Sequence, residues 1–582
     1  MISETIRRPQ TVPSNLLTRV MRKTIWTCWF QGRETAPHLV KKCLRSWERN
    51  NPGWEFRCLD ATSIERYIAL RQHIELSRQS LTAASLSDIV RILLLREFGG
   101  VWVDATLYCN RPLDEWLPGV MTEGFFAFAA PAPDRPLSSW FLSAVSDNYL
   151  ISSWCRWTME YWSKRTDSND YFWFHHLFRD MCASDRLAME EWIRVPKVSA
   201  DGPHALQFRG LMHHSEPSVI ESIDWATPVF KLTHRLPEKG LEAGSLLEYL
   251  LERDKDENGT HEQAPCREEA PNSDRAPRRF AALKVSTENL GDHIQIISGL
   301  CMLSRLGIQP TRYIDRDNEI RSVPWLDDED GPVGILLNGW FKSNRAEWPP
   351  NSKLAPLILG FHIRLFQCPE LMSDASVDFF RLHQPIGCRD VHTENLLRSK
   401  GVEAFTTNCL SLTLPRRIAY PATQTEVFVV SRDERLKDYI PQSIGPYTFV
   451  NHYSGSSDFA ANMGRAEELL KAYRSRAKLM ITTLLHCALP AIAMGIPVVV
   501  FYPINNDAGH ASDRERFSSL EGLVHVYRFE EIESVNWNPE PIDVSEIKLQ
   551  IFDRFYEIAA RWRTRPTSKT GPIAPSSVLP PP

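Results

Sequence analysis

"SDIVRILLLREFGGVWVDAT", residues 87–106, decides how this chain is read. Ser87 to Phe98 has helical character, but Leu86, Ile89, Val90, Ile92, Leu93, Leu94 and Phe98 cover most directions around the axis at about 100° per residue. One polar stripe remains, through Ala84, Asp88 and Arg91. A helix apolar on most sides belongs in an interior, so Asp88 and Arg91, one turn apart on one face, need a reason to be there. Two reasons stand open. They form a buried ion pair that holds the helix, which is at best a weak source of stability. Or they are a fixed carboxylate and guanidinium that grip hydroxyls and a diphosphate. Gly99-Gly100 ends the helix and turns the chain into the strand "VWVDAT". Asp104 sits where that strand leaves the sheet, the expected place for a ligand-facing carboxylate, although an Asx turn with Thr106 would also account for it.

Working outward, "KTIWTCWFQG" reads as a strand, "LVKKCLRSWERNNPGW" as an amphipathic helix ending at Asn-Pro, "EFRCLD" as a strand and "ATSIERYIALRQ" as a helix. Strands alternating with helices indicate a parallel or mixed sheet with ligands at the C-terminal strand ends. After Asp104 the pattern becomes aromatic and helical, in "SSWCRWTMEYWSKR" and "DYFWFHHLFRDM". The stretch from 252 to 279 is charged, rich in Pro, Asn and Glu, and has little to bury, so it reads as a flexible linker. Beyond it, "RRFAALKVS", "VGILLNGWF", "PIGCRD", "EVFVVSRD", "YTFVNH", "LMITT" and "PVVVFYP" are strand candidates. "HIQIISGLCMLSRLG", "HTENLLRSKG" and "NMGRAEELLKAYRSRA" are the helices between them. This alternation predicts two Rossmann-like halves facing a cleft, divided near Leu414 to Thr425. The expected layout is a domain at 20–250, the linker, a domain at 280–562 and a disordered Pro/Ser-rich tail at 563–582.

The totals fit this division. At 582 residues the chain is too long for one core. A formal net charge of −5 gives no global attraction to nucleic acid or anionic lipid, so no nucleic-acid partner is expected. The twelve cysteines stand singly, without CxxC pairs or zinc spacing, as reduced thiols in a cytoplasm do. The start, "MISETIRRPQ", has no apolar signal core. Residues 481–503 are apolar enough to suggest a membrane span, but His486, three prolines and a Gly-Ile-Pro break suit a strand, helix and strand in a buried core.

"SLSDIVRILLLREFGGVWVDAT" resembles the core of the capsular polysaccharide synthesis glycosyltransferases, relatives of the DXD sugar transferases. "IWTCWFQG" at 25–32, "SWERNNPGWEFRCLD" at 46–60 and "TPVFKLTH" at 227–234 support it, over most of residues 20–250. The resemblance implies a GT-A-like Rossmann-type domain, a nucleotide-sugar donor and a retaining transfer. It also implies that Asp88, Arg91, Gly99 and Gly100 bind donor sugar and phosphate, with Lys231 and His234 near the diphosphate. Asp104 would be catalytic and hold the metal. One departure matters: where the broader pattern is Asp-x-Asp, the third position here is Thr106. A hard cation wants several oxygens. Mn²⁺ or Mg²⁺ is expected, with Lys231 or Arg91 sharing the neutralisation.

The second half resembles the polysaccharide pyruvyl transferases over roughly 280–530. The shared features are Asn289, Gly291 and Asp292 in "NLGD", Arg389 and Asp390 in "GCRDVHT", and His486 after a late strand. By themselves, NxGD also makes an ordinary turn and N-cap, and a histidine such as His486 is more often a satisfied core residue. The resemblance implies a GT-B-like pair of halves that moves the enolpyruvyl carbons of phosphoenolpyruvate onto two sugar hydroxyls as a cyclic ketal. It makes His486 the catalytic acid or an anion contact, and places Asn289, Gly291, Asp292 and Arg389 around the anionic donor. Leu484 stands where the family usually has an arginine, which would leave the phosphate to Arg514 or Arg516.

The expectation is an α/β, bifunctional enzyme of bacterial capsule or exopolysaccharide synthesis, adding a sugar and then a pyruvate ketal. Its acceptor would be a glycan or lipid-linked oligosaccharide, which would bring a cytoplasmic protein to the inner membrane face without a span. The alternatives make the C-terminal domain a second glycosyltransferase or a non-catalytic glycan-binding module.

Overall fold

Thr82 accepts a hydrogen bond from the Ser85 amide at 3.1 Å and starts a helix that runs Ala83–Phe98. The computed structural model describes residues 21–73, 81–168, 170–208, 217–233, 244–252, 277, 279–327, 329, 331–341, 348–364, 371–418, 422–503 and 517–562. Most of the expected linker, all of the expected tail, His234, Arg514 and Arg516 lie outside the described residues. The chain divides into two compact units, residues 1–64, 70–262 and 579–582 in one, and 65–69 and 263–578 in the other.

In the first unit the helix Ala83–Phe98 is buried on nearly all sides, as its sequence requires, and Asp88 and Arg91 are buried with it. The glycines then do steric work. Gly99 and Gly100 have φ of 68° and 97°, and a Cβ on Gly100 would lie 2.5 Å from the Thr24 carbonyl oxygen. The chain can therefore drop straight into the strand Gly100–Val103 beside Thr24–Cys28. Among the described residues this sheet has five strands, in the order Glu55–Leu59, Thr24–Cys28, Gly100–Val103, Arg135–Ala144, Phe125–Ala132. The first three are parallel and the last two antiparallel, so the sheet is mixed. Ile25, Trp47, Val101, Val103, Phe126 and Phe141 form its core.

Two differences from the sequence reading have physical causes. The hairpin Phe125–Ala132 and Arg135–Ala144 was not anticipated, because Pro131, Pro133 and Pro136 interrupt the strand pattern. "ATSIERYIALRQ" is two short helices, Ile64–Tyr67 and Leu70–His73, broken at buried Ile68 and Ala69. Beside the main sheet, Leu107–Cys109 pairs antiparallel with Val229–Lys231, and Leu107 faces Lys231 in register.

The second unit contains two sheets, each parallel throughout its described pairings. The six-stranded sheet runs Ala404–Thr406, Ile386–Cys388, Leu354–His362, Val333–Trp340, Arg279–Lys284, Arg312–Asp315. The five-stranded one runs Tyr447–Val450, Glu426–Val430, Ala477–Thr482, Val498–Phe501, Val526–Tyr527. One sheet ends at Thr406 and the next begins at Glu426, which brackets the expected divide. The interior strand Leu354–His362 was missed, since Pro356 and Gly360 read as breakers. The apolar 481–503 stretch is the end of one strand, the helix Leu485–Ala493 and the strand Val498–Phe501. No described helix is long and apolar enough to cross a membrane.

Candidate functional site

The polar stripe of the buried helix meets the end of the strand it feeds. Arg91 Nη1 lies 2.9 Å from Asp88 Oδ1 and donates to the Ser139 carbonyl at 2.8 Å. Its Nη2 donates to Asp104 Oδ1 at 3.0 Å and to Ser87 Oγ at 3.2 Å. Trp102 Nε1 donates to the same Asp104 oxygen at 3.2 Å, and the Arg91 guanidinium lies 5.2 Å from the Trp102 ring centre. From across the Leu107–Lys231 register, Lys231 Nζ donates to Asp104 Oδ2 and to Thr106 Oγ1, each at 2.9 Å. The result is a chain of alternating charge, Asp88, Arg91, Asp104, Lys231, closed by the Thr106 hydroxyl.

Exposure orders this chain from inside to outside. Arg91 and Asp88 side chains are 5% and 11% exposed, Lys231 17% and Asp104 26%. A ligand arriving from solvent therefore meets Asp104 and Lys231, with Arg91 and Asp88 behind them. Burial pushes the Asp88 carboxyl up to about 7, with Arg91 opposing and Asp104 adding to the rise. Burial would also raise Asp104, but Lys231 and Arg91 outweigh it and hold that carboxyl well below the usual range. Half-buried His175 is driven down to about 3 by desolvation and by the nearby Arg91, so it is neutral.

The residues do not fit a divalent cation. Each Asp104 oxygen already accepts an N–H from a cationic side chain, and the Thr106 hydroxyl faces the same ammonium. A hard cation needs several oxygens free of such donors. Among the described residues, no group of three or more His, Cys, Asp or Glu is placed to hold a metal. Gly99 and Gly100 lie apart from the cluster: Gly100 opens the strand that Asp104 follows, about 13 Å of extended chain away. Their close neighbours are the backbones of Ser146 and Thr24.

In the second unit the described contacts of the sequence candidates form two groups, each with an arginine against the Trp340 ring. Asn289 caps the helix Leu290–Arg305, accepting from the Gly291 amide at 3.1 Å. Asp292 accepts from Thr287 Oγ1 at 3.1 Å and from Gln295 Nε2 at 3.2 Å, and Arg316 Nη1 lies 3.9 Å away. Gln295 Nε2 is also 3.4 Å from His486 Nδ1, and Cys409 Sγ is 3.8 Å from His486 Nε2. Gly291 has a specific purpose here: a Cβ on it would lie 3.1 Å from the His486 Cβ. His486 itself is 5% exposed, at the kinked start of its helix. Leu484 is the N-cap position of that helix and gives it no side-chain cap.

Arg389 belongs to the other cluster, at the C-terminal ends of the strands Leu354–His362 and Ile386–Cys388. His362 Nδ1 is 2.6 Å from Asp390 Oδ2, both buried, and Thr393 donates to Asp390 Oδ1 from its amide and its hydroxyl, each at 2.9 Å. Burial, then Arg389, lowers His362 to about 4, with Arg364 contributing to the same effect. Asp390 is held at about 2, because the His362 contact and Arg389 outweigh its burial. Arg364 and Arg316 lie 5.3 and 5.7 Å from the Trp340 ring centre. Sequence reasoning missed His362, Arg364 and Arg316, since all three end or follow strands it had not recognised, Leu354–His362 and Arg312–Asp315. Trp102 was missed because it reads as core, which it also is.

Residues 7–250 match the family model of the capsular polysaccharide synthesis proteins, and residues 289–505 that of the polysaccharide pyruvyl transferases. The O-glycosyltransferase braB of Annulohypoxylon truncatum is 25% identical over 179 residues, 27% of this chain, and the chain covers 42% of that relative's length. Among solved structures, the PaToxG glycosyltransferase aligns at 11% identity over 30% of this chain and 74% of its own, with a TM-score of 0.21. A functionally uncharacterized protein of Klebsiella pneumoniae subsp. pneumoniae aligns at 15% identity over 43% and 92%, with a TM-score of 0.26. The chain is thus similar, one after the other along its length, to the capsular polysaccharide synthesis proteins and to the polysaccharide pyruvyl transferases.

Proposed function

We propose that the first unit transfers a sugar from a nucleotide-sugar donor to a hydroxyl of a glycan or lipid-linked oligosaccharide. The convergence of Asp104, Lys231 and Arg91 at one strand end carries this reading. Breaking the glycosidic bond of such a donor leaves negative charge on the departing nucleoside diphosphate. Preorganised cations aimed at that charge are worth about 10²–10³ in rate. Lys231, the outermost cation, is suited to that charge, and Arg91 holds Asp104 from behind. Asp104 orients the ammonium and accepts a hydroxyl of the donor. The name of the O-glycosyltransferase relative supports transfer to oxygen.

For the second unit the proposal is transfer of a pyruvate ketal from phosphoenolpyruvate. Two sugar hydroxyl oxygens bond to C2, C3 gains one proton to become a methyl group, and the C2–O bond to phosphate breaks. Inorganic phosphate leaves with the second hydroxyl proton. The chemistry needs a proton donor and cations for a carboxylate and a phosphate. His486 is the first candidate for the donor. His362 is the other imidazole, beside an arginine; burial and Arg389 hold it neutral near pH 7, which suits it to contact the anion. Arg389 and Arg364 flank His362 and supply the positive charge that Leu484 does not. A two-by-two assay tests both halves: labelled donor sugar and labelled phosphoenolpyruvate, each with Asp104→Asn and with His486→Ala. Asp104→Asn is expected to stop sugar incorporation only, and His486→Ala pyruvate incorporation only, with pre-glycosylated acceptor supplied. If no pyruvate label enters any glycosylated acceptor with the wild-type chain, the ketal reading falls. His362→Gln decides between the two imidazoles.

A further inference from the structure

We infer that Lys231, rather than a divalent cation, is the resident positive charge at the donor diphosphate, so that the first unit binds a nucleoside diphosphate without metal. The inference rests on the sugar-transfer reading above and goes further, to the electrostatic device that makes it work.

Three observations carry it. The position where a second carboxylate would complete an Asp-x-Asp cation site is Thr106, and its hydroxyl is 2.9 Å from Lys231 Nζ. The same ammonium holds Asp104 Oδ2 at 2.9 Å, so it occupies the space between the two side chains that a bridging metal ion would need. Its backbone is fixed on both sides of the contact: Lys231 pairs with Leu107, and the Leu232 amide donates to the Thr106 carbonyl at 3.0 Å.

The local charge points the same way. Around Asp104 stand Lys231 and Arg91, and Arg91 is paired on its other side with Asp88 at 2.9 Å, so the cation left beside Asp104 to meet an arriving anion is Lys231. A divalent ion entering there would have to displace the ammonium from both oxygens it holds, against its like charge. An aspartate at 106 would supply the second carboxylate that a cation needs; the threonine does not. Asp104 is, on this view, a positioning residue that aims the ammonium.

The test uses the full chain and measures binding of uridine, guanosine, cytidine and thymidine diphosphates by calorimetry, in chelator and in excess Mn²⁺. At least one is expected to bind with affinities within about twofold of each other in the two conditions. Lys231→Met should weaken that binding by about tenfold or more in both. The double variant Lys231→Met/Thr106→Asp, which removes the ammonium and installs the second carboxylate, should bind only when Mn²⁺ is present. Circular dichroism and melting curves establish that each variant is folded, and Lys231→Arg, which keeps the charge, serves as the conservative control. Binding by the wild type that needs Mn²⁺, or a folded Lys231→Met that binds as the wild type does, overturns the inference and leaves the sugar-transfer reading intact. If none of the four diphosphates binds under either condition, the sugar-transfer reading itself falls and takes the inference with it.

Discussion

Lys231 and Asp104, 127 residues apart in sequence, meet at 2.9 Å because a three-residue strand pair sets Lys231 opposite Leu107. The contact depends on backbone register, so side-chain changes at either end leave the pairing in place. Asp104→Asn is therefore expected to lower kcat/KM for sugar transfer by about 10²–10³, with little change in melting temperature. Near-wild-type turnover by this variant would remove Asp104 from the reaction.

Asp88 gives a pH signature. Its folded pKa of about 7 lies above the ordinary 3.8, so the folded state holds the proton more tightly. The stability this contributes is complete below about pH 3.8 and is lost as pH rises through about 7. Asp88→Asn lacks that loss, so its stability relative to the wild type should increase between pH 5 and 8, as measured by calorimetric unfolding. A constant difference across that range would show that Asp88 is ionised throughout. Asp88→Ala should be milder than the loss of one partner from an isolated buried pair, because Arg91 keeps Asp104 and the Ser139 carbonyl. A cost of about 1–3 kcal/mol is expected.

Gly100→Ala tests the turn. The new Cβ would press on the Thr24 carbonyl at 2.5 Å in a backbone with φ of 97°, and neither atom belongs to a flexible side chain. Destabilisation of about 3 kcal/mol or more is expected, read as a lowered melting transition. A variant that melts with the wild type would mean that strand and helix can part there at little cost.

Gly291→Ala is a gentler probe of the second unit. At 3.1 Å the added methyl displaces His486 by a few tenths of an ångström without filling a cavity. Reduced pyruvate incorporation with unchanged sugar transfer is expected, on the principle that small misplacements of a reacting group are costly. Equal loss of both activities would point to a fold defect.

Much of this architecture was legible in the residues. The all-round apolarity of 86–98 demanded a buried helix, and the paired glycines demanded a tight turn into a strand. Asp88, Arg91, Asp104 and Lys231 were identifiable, but their geometry was not, since no local pattern shows that Leu107 pairs with Lys231. That register is a tertiary fact. Proline hid other elements: Pro356 disguised an interior strand that ends in His362, and with it the partner of Asp390. Arg389 and His486 were both identifiable as residues, but their contacts, Asp390 for one and Gln295 and Cys409 for the other, are tertiary and no local pattern shows them.

The lateness of Lys231 has a consequence for how the protein is made. A nascent chain that has emerged as far as Ala144 already contains the five described strands of the first sheet and the buried helix, but of the described side-chain partners of Asp104 it holds Arg91 and Trp102 and lacks Lys231. The ammonium arrives more than eighty residues later, on a strand of three residues. Contacts so distant in sequence close slowly, after local structure has formed. Synthesis that stops short of residue 229 would therefore leave Asp104 without the ammonium that the proposed sugar transfer depends on.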